Sequence, residues 1–362
     1  MIKPRISTGI LRGLALALVC CLPSLYAQQV TISAEADGSR QIKISVRVPP
    51  ADRGGEVSLF RSTRPLSPDD LNAVRYPITT IRLSSEDLSS GIVDTWVAHN
   101  VTYYYAASLK SGDDGMEFSD VVSVPVGDVS LPPLLNPEIL IDKVHYILEV
   151  RDRQEVVKRF PLILGRDPVS RKLHQDFRTT PEGTYRITYL KANSTFYRAL
   201  DIDYPNRIDR IRYEFIRSRG QIPQEKSIGG EIQIHGQLRN RALERNWTWG
   251  CIALRNGDIE EIFDHPDIDV GTPVIIVGTE ITREDVFFIR RDWTAEEIRS
   301  FQTRLRELGH YSGQPDGVMG SQTRTALGKF QLERDYPVTC DLDKRTVQTL
   351  TDLGRGNARS IF

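Results

Sequence analysis

The feature that most limits how this chain folds is a change of period near residue 294. From about residue 30 to residue 278 the apolar pattern alternates or runs in short β-rich bursts. "QIKISVRV", "EVSLF" and "VTYYYAASL" are examples, separated by Gly, Pro, Asp and Ser clusters at the spacing of a sandwich. Then "DWTAEEIRSFQTRLRELGHY" opens on Thr294 as a helix N-cap, with Glu297 three residues on, and apolar residues follow at helical spacing. "SQTRTALGKFQLERDYPV" and "KRTVQTLTDLG" read as two more helices. The chain is therefore expected to be multidomain and mainly β: an N-terminal antiparallel sandwich, a central β-rich domain and a C-terminal three-helix module.

Local composition marks the boundaries. Residues 1–27 carry Lys3, Arg5 and Arg12, an apolar core from Gly13 to Leu22, and small residues around Ala27. That is the plan of a secretory signal, with a core short for a bilayer span, so export to the cell envelope is expected. A retained N-terminal anchor is the alternative. The sandwich is expected over 28–127, a Pro-rich linker over 128–138 ("DVSLPPLLNPE"), the central domain over 139–279, a second linker over 280–293, the helical module over 294–353 and a tail to 362. Cys20 and Cys21 lie in the signal core and leave with it, which keeps Cys251 and Cys340, too few for a disulfide framework. A net charge of −1 gives no reason to expect nucleic acid or another bulk polyanion as partner.

The chemistry concentrates in "GGEIQIHGQLRNRALERNWTWGCIALRN". His235 ends a strand-like run, where side chains reach a cleft, and Gly250 precedes Cys251 at the start of another run. A thiol needs a base to become a thiolate, and an imidazole supplies one. Gly250 lets backbone approach a substrate carbonyl, so its N–H and that of Cys251 are candidates for an oxyanion site. Two unrelated core residues would look the same, and on the residues alone both readings stand. No His, Cys and carboxylate cluster at ligand spacing, so neither metal nor cofactor is implied. His145 and His265 read as structural or solvent residues, and His174, close before the "TTPEG" turn, is a candidate for the edge of the cleft.

With those residues in view, "HG…TWGCIAL" resembles the signature of L,D-transpeptidases, the YkuD-type catalytic domain. "TTPEGTYRI" before it and "GTPVIIV" after it fall where that family has them, so the resemblance covers Ile139 to Gly278. It implies Cys251 as nucleophile, His235 as proton acceptor, the Gly236 carbonyl as the group orienting the imidazole, and Thr248 at the family's Ser/Thr position. The sequence departs in two places: Trp249 replaces the usual His before Gly-Cys, and Ala253 the Arg often found two residues after the cysteine. Arg255 is the candidate to bind a substrate carboxylate from a shifted position, and a merely exposed arginine is the alternative. These departures look more like the subgroup that includes a hydrolase releasing outer-membrane lipoprotein from peptidoglycan.

Two further resemblances flank it. "FQTRLRELGHYSGQPDGVMGSQTRTALGKFQ" is similar to the peptidoglycan-binding domain of cell-wall enzymes, matching at the Asp316-Gly317 turn, Gly320, Thr323 and Phe330-Gln331, with Cys340 where a glycine is common. "GIVDTWVAHNVTYYYAASLKSGDDGMEFSDVVSVPV" resembles the last strands of a fibronectin type III domain. Together they imply a cysteine-dependent L,D-transpeptidase acting on peptidoglycan stem peptides through a thioester. The acceptor is open: another stem's amine, a protein or lipoprotein lysine, or water in an L,D-hydrolase. A non-catalytic wall-binding scaffold is the rival from another class, and the intact His235-Gly236 and Gly250-Cys251 pairs argue against it. Oligomeric state is not legible.

Overall fold

A computed structural model describes residues 30–49, 56–67, 79–110, 116–170, 172–237 and 245–359. The signal expected over 1–27, with Cys20 and Cys21, lies outside the described residues, as does the end of the tail. Among the described residues no helix is long and apolar enough to cross a membrane.

The alternating N-terminal runs form two antiparallel sheets. One orders β1 (Thr31–Ala36), β2 (Ile42–Arg47) and β5 (Ile92–Asp94). The other is built on β6 (Val101–Lys110), which pairs with β3 (Glu56–Ser62), β7 (Met116–Phe118) and β8 (Val122–Val126), while β4 (Thr79–Leu83) extends β3. A short helix, α1 (Ser85–Ser90), leads into β5. Ile42, Ile44 and Val46 of the first sheet and Leu59, Tyr105 and Leu109 of the second share one buried cluster, as the period of two requires of a sandwich. The Tyr103 hydroxyl accepts a hydrogen bond from the Ala98 N–H at 2.7 Å, pinning the corner before β6.

The central domain is one eight-stranded sheet in the order β11-β10-β9-β16-β12-β13-β14-β15. Its strands are β9 (Pro137–Asp142), β10 (Ile147–Asp152), β11 (Glu155–Pro161), β12 (Gly183–Ser194), β13 (Tyr197–Ile202), β14 (Gln233–His235), β15 (Ile252–Ala253) and β16 (Pro273–Val277). Neighbours pair antiparallel except β9 with β16 and β14 with β15. Helix α2 (Arg207–Ser218) follows β13, and α3 (Asn256–Phe263) follows β15, burying Ile259 and Ile262 in the main core.

Neither expected linker is a free tether. In the Pro-rich stretch Leu134 is buried in the central core, and the Leu131 and Leu134 amides donate to Glu261 and Asp267. Within 280–293 a helix, α4 (Arg283–Ile289), is capped by Thr282 and buries Val286 against Leu140 and Ile275. The Thr282-Glu284-Asp285 start is a capping box that the sequence reading passed over.

The helical module holds α5 (Ala295–Glu307), α6 (Ser321–Glu333) and α7 (Lys344–Arg359) around Leu305, Leu327, Phe330 and Leu350. Its two Phe-Gln pairs have a structural reason. Gln302 donates to Asp316, Val318 and Thr323, and Gln331 to Thr339, Asp341, Asp343 and Thr346, so each buried amide organises the loop after its helix. The module also docks: Leu332, Val338 and Cys340 pack against Ile208, Ile211 and Phe215 of α2.

Candidate functional site

The parallel pair β14–β15 builds the site. Register places Ile234 beside Ile252 and His235 beside Ala253. With a side-chain period of two, Cys251, just before β15, faces the same way as Ala253 and therefore as His235. The segment on the other side of β15 is fixed by bridges from Ile163 to Ala253 and from Gly165 to Thr248.

His235 is 1% exposed. Its Nδ1 lies 2.6 Å from the Gly236 carbonyl oxygen, and its ring stacks on Phe196 at 4.6 Å, with Trp247 at 5.8 Å. A carbonyl only accepts, so Nδ1 carries the proton and Nε2 presents a lone pair. Burial pulls the imidazole pKa below its ordinary value, against a smaller raising effect of the Gly236 bond. Cys251 is half-buried, and its sulfur lies 3.4 Å from the Glu231 carbonyl. Burial pushes the thiol pKa up, while the Gln233 backbone and the Lys172 ammonium pull it down.

The turn before the cysteine is set by Thr248, whose hydroxyl donates to the Cys251 carbonyl at 2.7 Å and accepts from the Gly250 N–H at 3.2 Å. That bond engages the Gly250 amide, which the sequence reading had placed in an oxyanion site. Gly250 has φ of +127°, and a Cβ there would lie 2.7 Å from the Thr179 carbonyl oxygen and 3.0 Å from Ile232, so a side chain is excluded twice over. Trp249 is 56% exposed, with the Arg178 guanidinium 4.3 Å over its ring. Arg255, expected as a candidate to bind a substrate carboxylate, makes three hydrogen bonds within the chain. It donates to both Asp258 oxygens, at 2.6 and 2.8 Å, and to the Asn100 carbonyl at 2.7 Å, tying α3 to the sandwich.

Of the histidines set aside, His145 stacks on Trp96 at 3.8 Å across the contact with the sandwich, and His265 bonds the Pro132 carbonyl at 3.0 Å. Lys172 is the residue sequence reasoning missed. It is 9% exposed, its Nζ lies 3.5 Å from where a Gly250 Cβ would be, and it donates to the Phe177 carbonyl at 3.2 Å. Among the described residues no group of three or more His, Cys, Asp or Glu is placed to hold a metal ion.

Residues 136–276 match the family model of the YkuD L,D-transpeptidase catalytic domain, and residues 294–350 that of a putative peptidoglycan binding domain. The chain carries a YkuD-type L,D-transpeptidase catalytic domain. Solved structures similar to this YkuD-bearing chain include an L,D-transpeptidase from Xylanimonas cellulosilytica, 16% identical with a TM-score of 0.27, covering 41% of this chain and 64% of that one. The helical cell shape determining protein Pgp2 from Campylobacter jejuni is 23% identical with a TM-score of 0.34, over 49% of this chain and 61% of that one. L,D-transpeptidase 1 from Mycobacterium tuberculosis is 12% identical with a TM-score of 0.25, over 70% and 88%. The matched part thus spans less than two thirds of the first two chains. No curated protein matches this chain.

Proposed function

We propose that this is a cell-envelope enzyme that acts on peptidoglycan stem peptides through a thioester on Cys251. The reading rests on one arrangement: His235 and Cys251 stand on one face of the β14–β15 pair, with the imidazole fixed as a base by the Gly236 carbonyl. Nε2 takes the thiol proton, and sulfur attacks the carbonyl of the L-centre of a stem diamino acid. The C–S bond forms, the amide C–N bond breaks, and terminal D-alanine leaves with the proton returned from the imidazole. With the Gly250 amide engaged by Thr248, the oxyanion duty falls to the Cys251 N–H. An acceptor amine then attacks the thioester while the imidazole takes its proton; the new amide forms, the C–S bond breaks, and the proton passes back to restore the Cys251 thiol. The exposed Trp249, under Arg178, is suited to the rim of the cleft, where the stem enters.

The helical module tethers the enzyme to the wall, with the groove beside Asp316, Gly317 and the exposed Val318 as its contact. The sandwich is read as fibronectin type III-like on its paired antiparallel sheets and the Tyr103 corner.

Mass spectrometry of tetrapeptide muropeptides incubated with the purified protein tests the reading. Crosslinked dimers with loss of one alanine are expected, and Cys251→Ala should yield neither. Trimmed monomers alone would make water the acceptor, and unchanged substrate with folded wild-type protein would overturn the proposal.

A further inference from the structure

Lys172 presents a problem that the catalytic reading does not use. An ammonium this buried is costly unless an anion faces it. Among the described residues no carboxylate lies within ion-pair distance of its Nζ, and its one hydrogen bond is to the Phe177 carbonyl. The carboxylates nearest in its field are already engaged. Asp209 pairs with Arg212 at 3.0 Å and accepts from the Tyr185 hydroxyl at 3.1 Å, and Asp176 pairs with Lys226. On the thiol's side, Asp201 pairs with Lys191 at 2.8 Å, and Glu231 is exposed. What the ammonium does approach is the backbone of Gly250, next to the nucleophile, with the Tyr204 ring 5.8 Å from Nζ.

We infer that Lys172 is the cationic partner of the Cys251 thiolate, a positioning residue whose charge stabilises the sulfur anion once His235 has taken its proton. The inference rests on the reading of Cys251 as the nucleophile. The two groups act on each other in opposite senses. Burial holds the lysine down at about 8 even with Cys251 drawing it up, and Lys172 draws the thiol down although burial keeps it above its ordinary value. His235 carries the proton and Lys172 the lasting positive charge, so proton transfer and charge stabilisation fall on different residues. A Cβ at Gly250 would lie 3.5 Å from Nζ, an ordinary contact distance, so the ammonium sits against the turn that carries the sulfur.

The test is the pH dependence of iodoacetamide labelling at Cys251 in the full chain, read by peptide mass mapping. Lys172→Met should move the labelling midpoint up by about one pH unit and slow labelling at neutral pH about tenfold, and Lys172→Arg should restore most of it. A folded Lys172→Met with an unmoved midpoint overturns the inference. If its KM for an anionic stem rises while the midpoint stands still, the lysine binds the substrate carboxylate instead, which also overturns it. Should Lys172→Met fail to fold, the reciprocal measurement decides. In Cys251→Ala, Lys172 should acetylate about threefold faster at pH 8 than in wild type, because the thiolate no longer raises its pKa. An equal rate overturns the pairing. Failure of the nucleophile reading shows separately, as muropeptide turnover by Cys251→Ala whatever the labelling midpoint.

Discussion

The Nδ1 of His235 lies 2.6 Å from the carbonyl oxygen of the next residue, Gly236. A backbone carbonyl cannot be protonated or lost by mutation, so the tautomer is set without a carboxylate partner. Burial holds the imidazole pKa below the ordinary value, so it is neutral and ready to accept a proton across neutral pH. His235→Ala should lower kcat by ~10²–10⁴ with a smaller change in KM. The acid limb of kcat/KM should lie below about 6.5. The sign for stability is the same. The unfolded chain binds the proton first, so stability is full above the ordinary histidine pKa and falls as pH drops toward the lowered folded value. An acid limb above the ordinary value, or a His235→Ala enzyme close to wild-type rate, would remove His235 from the mechanism.

The two described cysteines should behave oppositely toward an alkylating reagent. Cys251 is half-buried at the cleft, whereas Cys340 is fully buried and burial pushes its thiol up to about 12. Iodoacetamide on native protein should therefore modify Cys251 and spare Cys340, with both modified after denaturation. Both are free in the structure, and Cys340 packs at the α2 contact while Cys251 adjoins β15. A Cys251–Cys340 linked peptide in a non-reduced digest would contradict this arrangement.

Arg255 separates substrate binding from stability. Its guanidinium pairs with Asp258, a carboxyl whose pKa burial raises despite that pairing. Arg255→Gln should leave KM for stem peptides near wild type and cost about 1–3 kcal/mol in denaturant unfolding. A carboxyl with a raised folded pKa favours the fold most at low pH and loses that as pH rises, so the cost should be larger at pH 7 than at pH 4.5. A large rise in KM without loss of stability would return Arg255 to the carboxylate-binding role.

How much was legible in the sequence follows from what each feature depends on. The capping box at Thr294 was readable because its parts are three residues apart, and the Thr294 hydroxyl does accept from the Glu297 N–H at 3.2 Å. The strand end at His235 was readable from a period of two. Helix α4 lies inside an expected linker although Thr282 and Asp285 carry the same local code, because its 7 residues are too few to display a helical period. Lys172 and the partners of Arg255 were not readable at all. Both depend on segments brought together only by the fold, Gly250 for one and Asn100 of the sandwich for the other. An arginine or lysine in a line of sequence reads as solvated until its neighbours are known.

The docking of the helical module changes what its loss would mean. An independent tether could be removed without touching the catalytic domain, but here Cys340, Val338 and Leu332 cover Ile208, Ile211 and Phe215, so truncation would uncover an apolar patch on α2. A point change inside the contact is the cleaner probe. Gly328 of α6 faces this seam: a Cβ there would lie 2.6 Å from the Cys340 sulfur and 3.7 Å from Ile211. Cys340 cannot easily yield, since it is fully buried at a φ of +53°. Gly328→Val should therefore cost about 1–3 kcal/mol by overpacking, seen as a lower melting temperature. It should also increase proteolysis around residues 290–293, where the module joins α4. The cleft lies on β14 and β15, elements outside this seam, so turnover of a soluble tetrapeptide should stay within about twofold of wild type. Sacculus binding should persist, because the Asp316-Gly317-Val318 turn belongs to the loop organised by Gln302 rather than to the seam. If the folded variant instead lost soluble turnover as severely as it lost action on sacculi, the docked module would have to be counted as part of the active site.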